Sequence, residues 1–231
     1  MKKIITIILA SVMTTTGAYA AGFGDIGGHW AEGTINTLAG LGVVNGVTDT
    51  AFMPDGTVTR AQYLKMIMEA TGLGTAQFRE GECLEAKTTD WYAPYLQSAL
   101  DSGIIPHAMI TGFKENVEYA VNDDGKATSS KVVYSGAFNG DLPVTREEMA
   151  ALTAFCYQYT RTVKTNVKTS LADVKEFSDQ DSISSWAEQS VKLAAANGFI
   201  EGMENGSFSP SDNATRAQAA TIILRVINKE V

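Results

Sequence analysis

Apolar residues recur at helical spacing along most of this chain. Ile35, Leu38, Ala39 and Leu41 share one helical face, and Leu64, Ile67 and Met68 share another on a helix opening at Arg60. Tyr95, Leu96, Ala99 and Leu100 form a third face. Val191, Leu193, Ala194 and Ala195 form a fourth, and Ala219, Ile222, Ile223 and Val226 a fifth. A further helix is predicted to start at Arg146, where Thr145-Arg146-Glu147 repeats the opening seen in Thr59-Arg60-Ala61 and Thr215-Arg216-Ala217. Gly40 and Gly42 end the first helix.

These helices fall into a repeat. Phe52, Phe138 and Phe208 each precede the opening arginine by 8 residues, and Trp30, Trp91 and Trp186 each precede a glycine (Gly42, Gly103, Gly198) by 12. Four landmarks in one register, three times over, mean one structural unit used three times. The units are read as 21–73, 87–160 and 173–231. Each alone is marginal for an independent core, so a single pseudo-threefold, mainly α body is expected. The linkers at 74–86 and 161–172 are short and polar.

The middle unit is irregular. Trp91 lies 55 residues before Arg146, whereas Trp30 to Arg60 and Trp186 to Arg216 are both 30. The extra residues lie in an insert at about 106–137, where Asn122-Asp123-Asp124-Gly125 stands between Glu118-Tyr119-Ala120-Val121 and Lys131-Val132-Val133-Tyr134. An Asp-Gly turn between such stretches predicts a β-hairpin.

Charge and composition narrow the chemistry. Lys2 and Lys3, the apolar run from Ile4 to Val12 and Ala18-Tyr19-Ala20 read as a secretory signal over 1–20. No other stretch is long and apolar enough to span a bilayer. Beyond it the chain holds 16 basic against 26 acidic residues, which argues against a nucleic-acid partner. Cys83 and Cys156 leave pairing open in an exported chain. With His29 and His107 the only histidines, no metal cluster is evident. Asp123-Asp124-Gly125 lacks the other ligands of a calcium loop, and no histidine has an evident serine or cysteine partner. No catalytic residue, metal or cofactor is expected.

The repeated polar residues divide by role. Thr59 with Gln62, Thr145 with Glu148 and Thr215 with Gln218 read as capping boxes. Arginine at the following position is different, because a cation is mildly disfavoured at a helix N-terminus. Arg60, Arg146 and Arg216 therefore read as anion clamps, with free helix N–H groups completing the site, or as internal salt bridges to Asp25, Asp90 or Asp179. Trp30, Trp91 and Trp186 are core residues or platforms for a sugar ring. Gly46 and Gly202 are turn residues or points of close backbone approach; His107 takes the equivalent place in the middle unit.

The chain resembles three tandem S-layer homology (SLH) domains. Phe23-Gly24-Asp25, His29-Trp30-Ala31, Gly42 to Gly46, Phe52-Met53-Pro54 and Val58 to Gln62 match the family pattern almost throughout, and the third unit nearly as well. The middle unit matches at Asp90-Trp91-Tyr92, Gly103-Ile104-Ile105 and Val144 to Glu148. Gln62 and Gln218 replace the usual glutamate. The resemblance implies a three-pronged, mostly helical body that attaches non-covalently to the cell surface. Its expected ligand is a secondary cell-wall polysaccharide bearing ketal-linked pyruvate, or a modified peptidoglycan, bound in grooves between prongs. S-layer proteins are possible partners. The ligand-binding positions carried over are Asp25, Trp30, Gly46 and Arg60, then Asp90, Trp91 and Arg146, then Asp179, Trp186, Gly202 and Arg216.

Overall fold

The computed structural model describes residues 22–164 and 176–230. The signal read over 1–20 and most of the linker read at 161–172 lie outside the described residues. Six α-helices and one two-stranded antiparallel sheet are found among them: α1 (Glu32–Gly40), α2 (Arg60–Ala70), α3 (Ala93–Asp101), β1 (Thr111–Val121), β2 (Ala127–Ala137), α4 (Arg146–Lys164), α5 (Glu188–Ala196) and α6 (Arg216–Glu230). The expectation of a mainly α chain is corrected, because the insert spends 22 residues on two long strands and the content is mixed α/β. The helix α4 runs to Lys164, into the stretch read as linker.

Each of α2, α4 and α6 opens as its sequence dictates. The hydroxyl oxygens of Thr59, Thr145 and Thr215 accept from the backbone N–H three residues on, at 3.2, 3.3 and 3.2 Å. The side chains of Gln62, Glu148 and Gln218 accept from the threonine N–H at 3.1, 3.0 and 3.1 Å. Each box satisfies two of the donors that a helix start leaves over, worth about 1 kcal/mol.

The helices bury one continuous core. Ile35 and Leu38 of α1, Leu64 and Ile67 of α2, Leu96 and Ala99 of α3, Leu152 and Cys156 of α4, Val191 and Ala194 of α5, and Ile222, Ile223 and Val226 of α6 all belong to it. Leu41, read as part of the first apolar face, lies past the end of α1 and is exposed. Within the core Tyr63 Oη and Thr153 Oγ1 are 2.6 Å apart, tying α2 to α4. Cys83 and Cys156 are buried free thiols, and burial pushes the Cys83 thiol up to about 12.

The packing order is cyclic. The helix α3 packs on α2, α5 on α4, and α1 on α6, while α2 also meets both α4 and α6. The segments just ahead of the long helices join in the same sense. Val58 N–H donates to Ala214 O (3.1 Å), Ala214 N–H to Val144 O (2.9 Å) and Val144 N–H to Val58 O (3.0 Å). The start of each long helix then bonds to the next segment. Arg60 and Ala61 donate to Leu142 O and Gly140 O, Arg146 and Glu147 to Asp212 O and Pro210 O, and Arg216 and Ala217 to Gly56 O and Pro54 O.

The insert forms the hairpin that its Asp-Gly turn predicts. Asn122 N–H donates to Lys126 O at 2.9 Å, Asn122 Oδ1 accepts from Asp124 and Lys126, and Gly125 takes the positive φ of +73° that the turn demands. Register pairs include Val117↔Val132 and Glu118↔Lys131. His107, standing where a glycine is found in the other two units, stacks on Phe113 of β1 at 3.8 Å. The strand β2 is held to the body where Leu84 N–H donates to Tyr134 O and Tyr134 N–H to Glu82 O.

Candidate functional site

The loop ahead of each long helix is built around a phenylalanine followed by a residue in the left-handed region. Met53, Asn139 and Ser209 have φ of 57°, 53° and 56°, an uncommon conformation for side chains other than glycine. Two aspartates hold it. Asp25 accepts from Phe52 N–H (2.9 Å) and Met53 N–H (2.6 Å), and Asp179 accepts from Phe208 N–H (2.7 Å) and Ser209 N–H (2.8 Å). In the middle unit Asp90 does not serve this purpose: it accepts from Lys87 N–H, and Glu85 reaches Asn139 N–H at 3.3 Å. Glu85, not Asp90, is the structural counterpart.

The Phe52 bond holds the Asp25 carboxyl below its ordinary value of 3.8, with Met53 adding to it against burial. For Asp179 burial pushes upward, and the bonds from Phe208 and Ser209 outweigh it, so its value is also lowered. Both carboxylates therefore stabilise the fold fully above their unfolded value, and that stability is lost as pH falls through the depressed folded values. Thermal denaturation below pH 4 is expected to show a steep fall in Tm that is shallower in Asp25→Asn and Asp179→Asn. Parallel curves for all three proteins would contradict this.

Each arginine reaches across to the next unit. Arg216 Nε donates to Phe52 O at 2.8 Å and Nη2 to Asn45 O at 2.9 Å, with the guanidinium over the Phe52 ring at 4.5 Å. Arg146 Nε donates to Phe208 O at 2.7 Å and lies over the Phe208 ring at 5.1 Å. Arg60 is engaged further. Its Nη1 donates to Phe138 O and Met109 O, at the two feet of the hairpin, while Nε and Nη2 both pair with the Glu148 carboxylate. None of the three forms an ion pair with Asp25, Asp90 or Asp179. The expectation of free helix N–H groups is also corrected. The first two of each long helix donate to carbonyls of the next segment, and the third to the capping threonine.

What stays open differs among the three. Arg146 is only 6% exposed, and no acceptor among the described residues meets its Nη1 or Nη2. Burial lowers the pKa of its guanidinium, against the more distant pull of Asp212 and Asp179. The Nη groups are not among the sealed, unpartnered polar atoms; they open on a groove of about 510 Å³ that Arg146 helps to line. Trp30, Gly202, Phe208, Gln218 and Arg225 line the same groove, so it draws on all three units. Arg225 is paired with Glu201 at 2.8 Å, and Glu204 stands exposed at the rim. Trp30 is 63% exposed, so its ring is not spent on the core.

The remaining expected residues are placed differently. Trp91 is 52% exposed and packs edge-on to Tyr92, whereas Trp186 is half-buried against the core. Gly46 and Gly202 are packing positions. A Cβ on Gly46 meets Thr48 O at 2.3 Å, Phe23 at 2.5 Å and Ala51 O at 2.7 Å, and one on Gly202 meets Ser207 O at 2.8 Å. Sequence reasoning missed Glu85 and Arg225, as well as the phenylalanine carbonyls as arginine acceptors. The constant spacing from phenylalanine to arginine was the available signal, but the contact it prepares is with the arginine of the preceding unit.

Arginines bonded across units, the exposed indoles of Trp30 and Trp91 at the heads of short helices and the groove beside Arg146 are what this region offers a ligand. The chain carries S-layer homology domains: the model of that family matches residues 22–64 and 176–220. It is 35% identical to an amylopullulanase of Thermoanaerobacterium thermosulfurigenes, over 91% of this chain and 10% of that protein. It is 32% identical to exoglucanase XynX of Acetivibrio thermocellus, over 90% of this chain and 16% of the relative. The surface-layer 125 kDa protein of Lysinibacillus sphaericus is 24% identical over 94% of this chain and 16% of its own length. The chain thus spans less than a fifth of each of these relatives. No helix among the described residues is long and apolar enough to cross a membrane.

Proposed function

We propose that this chain is secreted and anchors non-covalently to the bacterial cell wall by binding an anionic secondary cell-wall polysaccharide. In this reading a carboxylate of the glycan, such as that of ketal-linked pyruvate, docks at Arg146 while a sugar ring lies on Trp30. The single observation that carries it is one groove lined both by Arg146, whose Nη groups meet no acceptor among the described residues, and by the exposed Trp30. Arginine suits this task because its planar fork grips a carboxylate with two parallel bonds. Arg216, with Gly46, Asp25 and Trp91, is the second position proposed. Asp179 and Gly202 support the loop beneath the first.

Residues 21–73, 87–160 and 173–231 are read as three units about one axis. The closed ring through Val58, Val144 and Ala214 supports this, since each bond repeats the same step. The wall association accords with the S-layer names among the relatives. For Arg60 a second reading is favoured, that of an internal strut, because Glu148 and the hairpin feet occupy its guanidinium.

Sedimentation with purified sacculi, with and without their attached polysaccharide, tests the proposal. Trp30→Ala removes an exposed ring and is expected to keep the fold but weaken binding to intact sacculi by about tenfold, the equivalent of one good aromatic contact. Arg146→Lys, which loses the fork, is expected to weaken it at least as much. Undiminished binding by both variants overturns the proposal. Equal binding to sacculi stripped of polysaccharide assigns modified peptidoglycan as the ligand instead.

A further inference from the structure

The two strands of the hairpin differ in what lies beside them. The strand β2 pairs with β1 on one side and, at Tyr134, with the segment around Cys83 on the other. The strand β1 is paired on one side only: no bridge among the described residues falls on its outer edge. Tyr134 settles which backbone groups point out along that edge. Its N–H and its carbonyl are both spent on Glu82 and Leu84, away from β1. Glu115, opposite Tyr134 in the register, therefore turns its own N–H and carbonyl away from β2. The register runs without a shift from Lys114 to Ala120, so Val117 and Tyr119 do the same. Three donors and three acceptors in a row face outward from an exposed strand that carries no proline.

Such an edge is a template for another strand, and a lysine is a common guard against one. Lys114 forms no ion pair among the described residues, so an apolar or basic strand laid beside it would strand its charge. A second β1 would not. Antiparallel self-pairing must bring like faces and outward backbone groups together, so odd-numbered residues meet odd and even meet even. Among the registers that satisfy this, the one centred on Asn116 sets Lys114 opposite Glu118 of the second copy, and the two-fold axis makes the same pair again. Sliding the register one permitted step either way sets Lys114 against Asn116 or Ala120, which are uncharged. The Lys114–Glu118 pairs fall at the closer, non-hydrogen-bonded positions, where opposite charges count most. On the other face this register places Tyr119 beside Phe113 of the second copy and extends the exposed strip of Val117, Tyr119 and Val132. The foot of one strand then lies beside the tip of the other, about 34 Å away along ten residues, which keeps the two bodies at opposite ends.

We propose that β1 is a self-pairing edge through which two copies of this chain join their hairpins into one four-stranded antiparallel sheet centred on Asn116. The contact is isologous, so it closes at two copies. The insert in the middle unit is then an association element, and it couples two copies of the groove described above.

Sedimentation equilibrium of the purified chain tests this without any glycan, so the result does not depend on the proposed function. A reversible monomer–dimer equilibrium is expected between micromolar and millimolar loading. Val117→Pro removes an outward N–H that the hairpin itself does not use, a place where an edge tolerates proline; it is expected to abolish the dimer and leave Tm unchanged. Lys114→Glu and Glu118→Lys each bring like charges together twice, and each is expected to weaken self-association by at least about tenfold. An equimolar mixture of those two variants restores both opposite-charge pairs, and it is expected to associate at least about tenfold more tightly than either alone. Both charged positions are exposed, so the mixture decides the matter even where the proline variant fails to fold. A wild-type chain that stays monomeric across this range overturns the inference. A dimer that a folded Val117→Pro leaves intact, or a mixture no tighter than its components, overturns it as well.

Discussion

Replacing Arg60 by alanine is expected to lower the stability of this chain by about 3–5 kcal/mol, the usual cost of removing one member of a buried ion pair. The side chains of Arg60 and Glu148 are 15% and 8% exposed. Truncating the arginine leaves the Glu148 carboxylate in that setting with only the Thr145 N–H beside its own helix. It also releases the carbonyls of Phe138 and Met109, which close the feet of the hairpin. Arg216→Ala should cost less, because Arg216 bonds to two neutral carbonyls and orphans no charge. Urea denaturation of the two variants checks the ranking, with the midpoint for Arg60→Ala lower than that for Arg216→Ala. Arg60→Ala with a stability within about 1 kcal/mol of wild type, a level ordinary for exposed pairs, would show that the pair is not the strut described.

Gly46→Ala is the second large effect. Its Cβ lands 2.3 and 2.7 Å from two backbone carbonyl oxygens and 2.5 Å from the Phe23 ring. Overpacking ordinarily costs about 1–3 kcal/mol, and two of these neighbours are main chain, which cannot swing aside. A loss at or beyond the top of that range is expected. Gly202→Ala meets one carbonyl at 2.8 Å and the Phe177 ring at 3.1 Å, so a smaller loss is expected there. Gly33, with nothing near its Cβ, serves as the control, since alanine within α1 raises helix propensity. Tm values that fail to rank Gly46→Ala lowest, then Gly202→Ala, then Gly33→Ala would refute this account of the two loops as packing positions.

Much of the architecture is legible in the sequence. The apolar faces at Ile35, Leu64, Leu96, Val191 and Ile222 lie on helices, the three threonine caps close as boxes, and the Asp-Gly turn makes a hairpin. These features are local, and the chemistry that decides them lies within a few residues. The arginine sites were legible only as positions. Their partners come from another unit, and spacing inside one unit does not say which unit follows in space or what it offers. Asp90 departs from the expected place for a related reason. It stands one residue before Trp91, whereas Asp25 and Asp179 stand five and seven residues before their tryptophans. The motif letter matched, but the distance along the loop needed to reach Asn139 belongs to Glu85. The free helix N–H groups were inferred from a helix considered alone, and packing against the next segment consumes them.

The ring through Val58, Val144 and Ala214 has a consequence for how such a molecule can grow. Each of the three gives its N–H to one neighbour and lends its carbonyl to the other, so the circuit has neither a leading nor a trailing edge. An open stack of helical pairs lengthens by duplication, since its last member always offers a surface for one more. Here a fourth copy finds no vacancy: it must prise the circuit apart or assemble elsewhere. Gene duplication would therefore multiply the whole circuit rather than extend it.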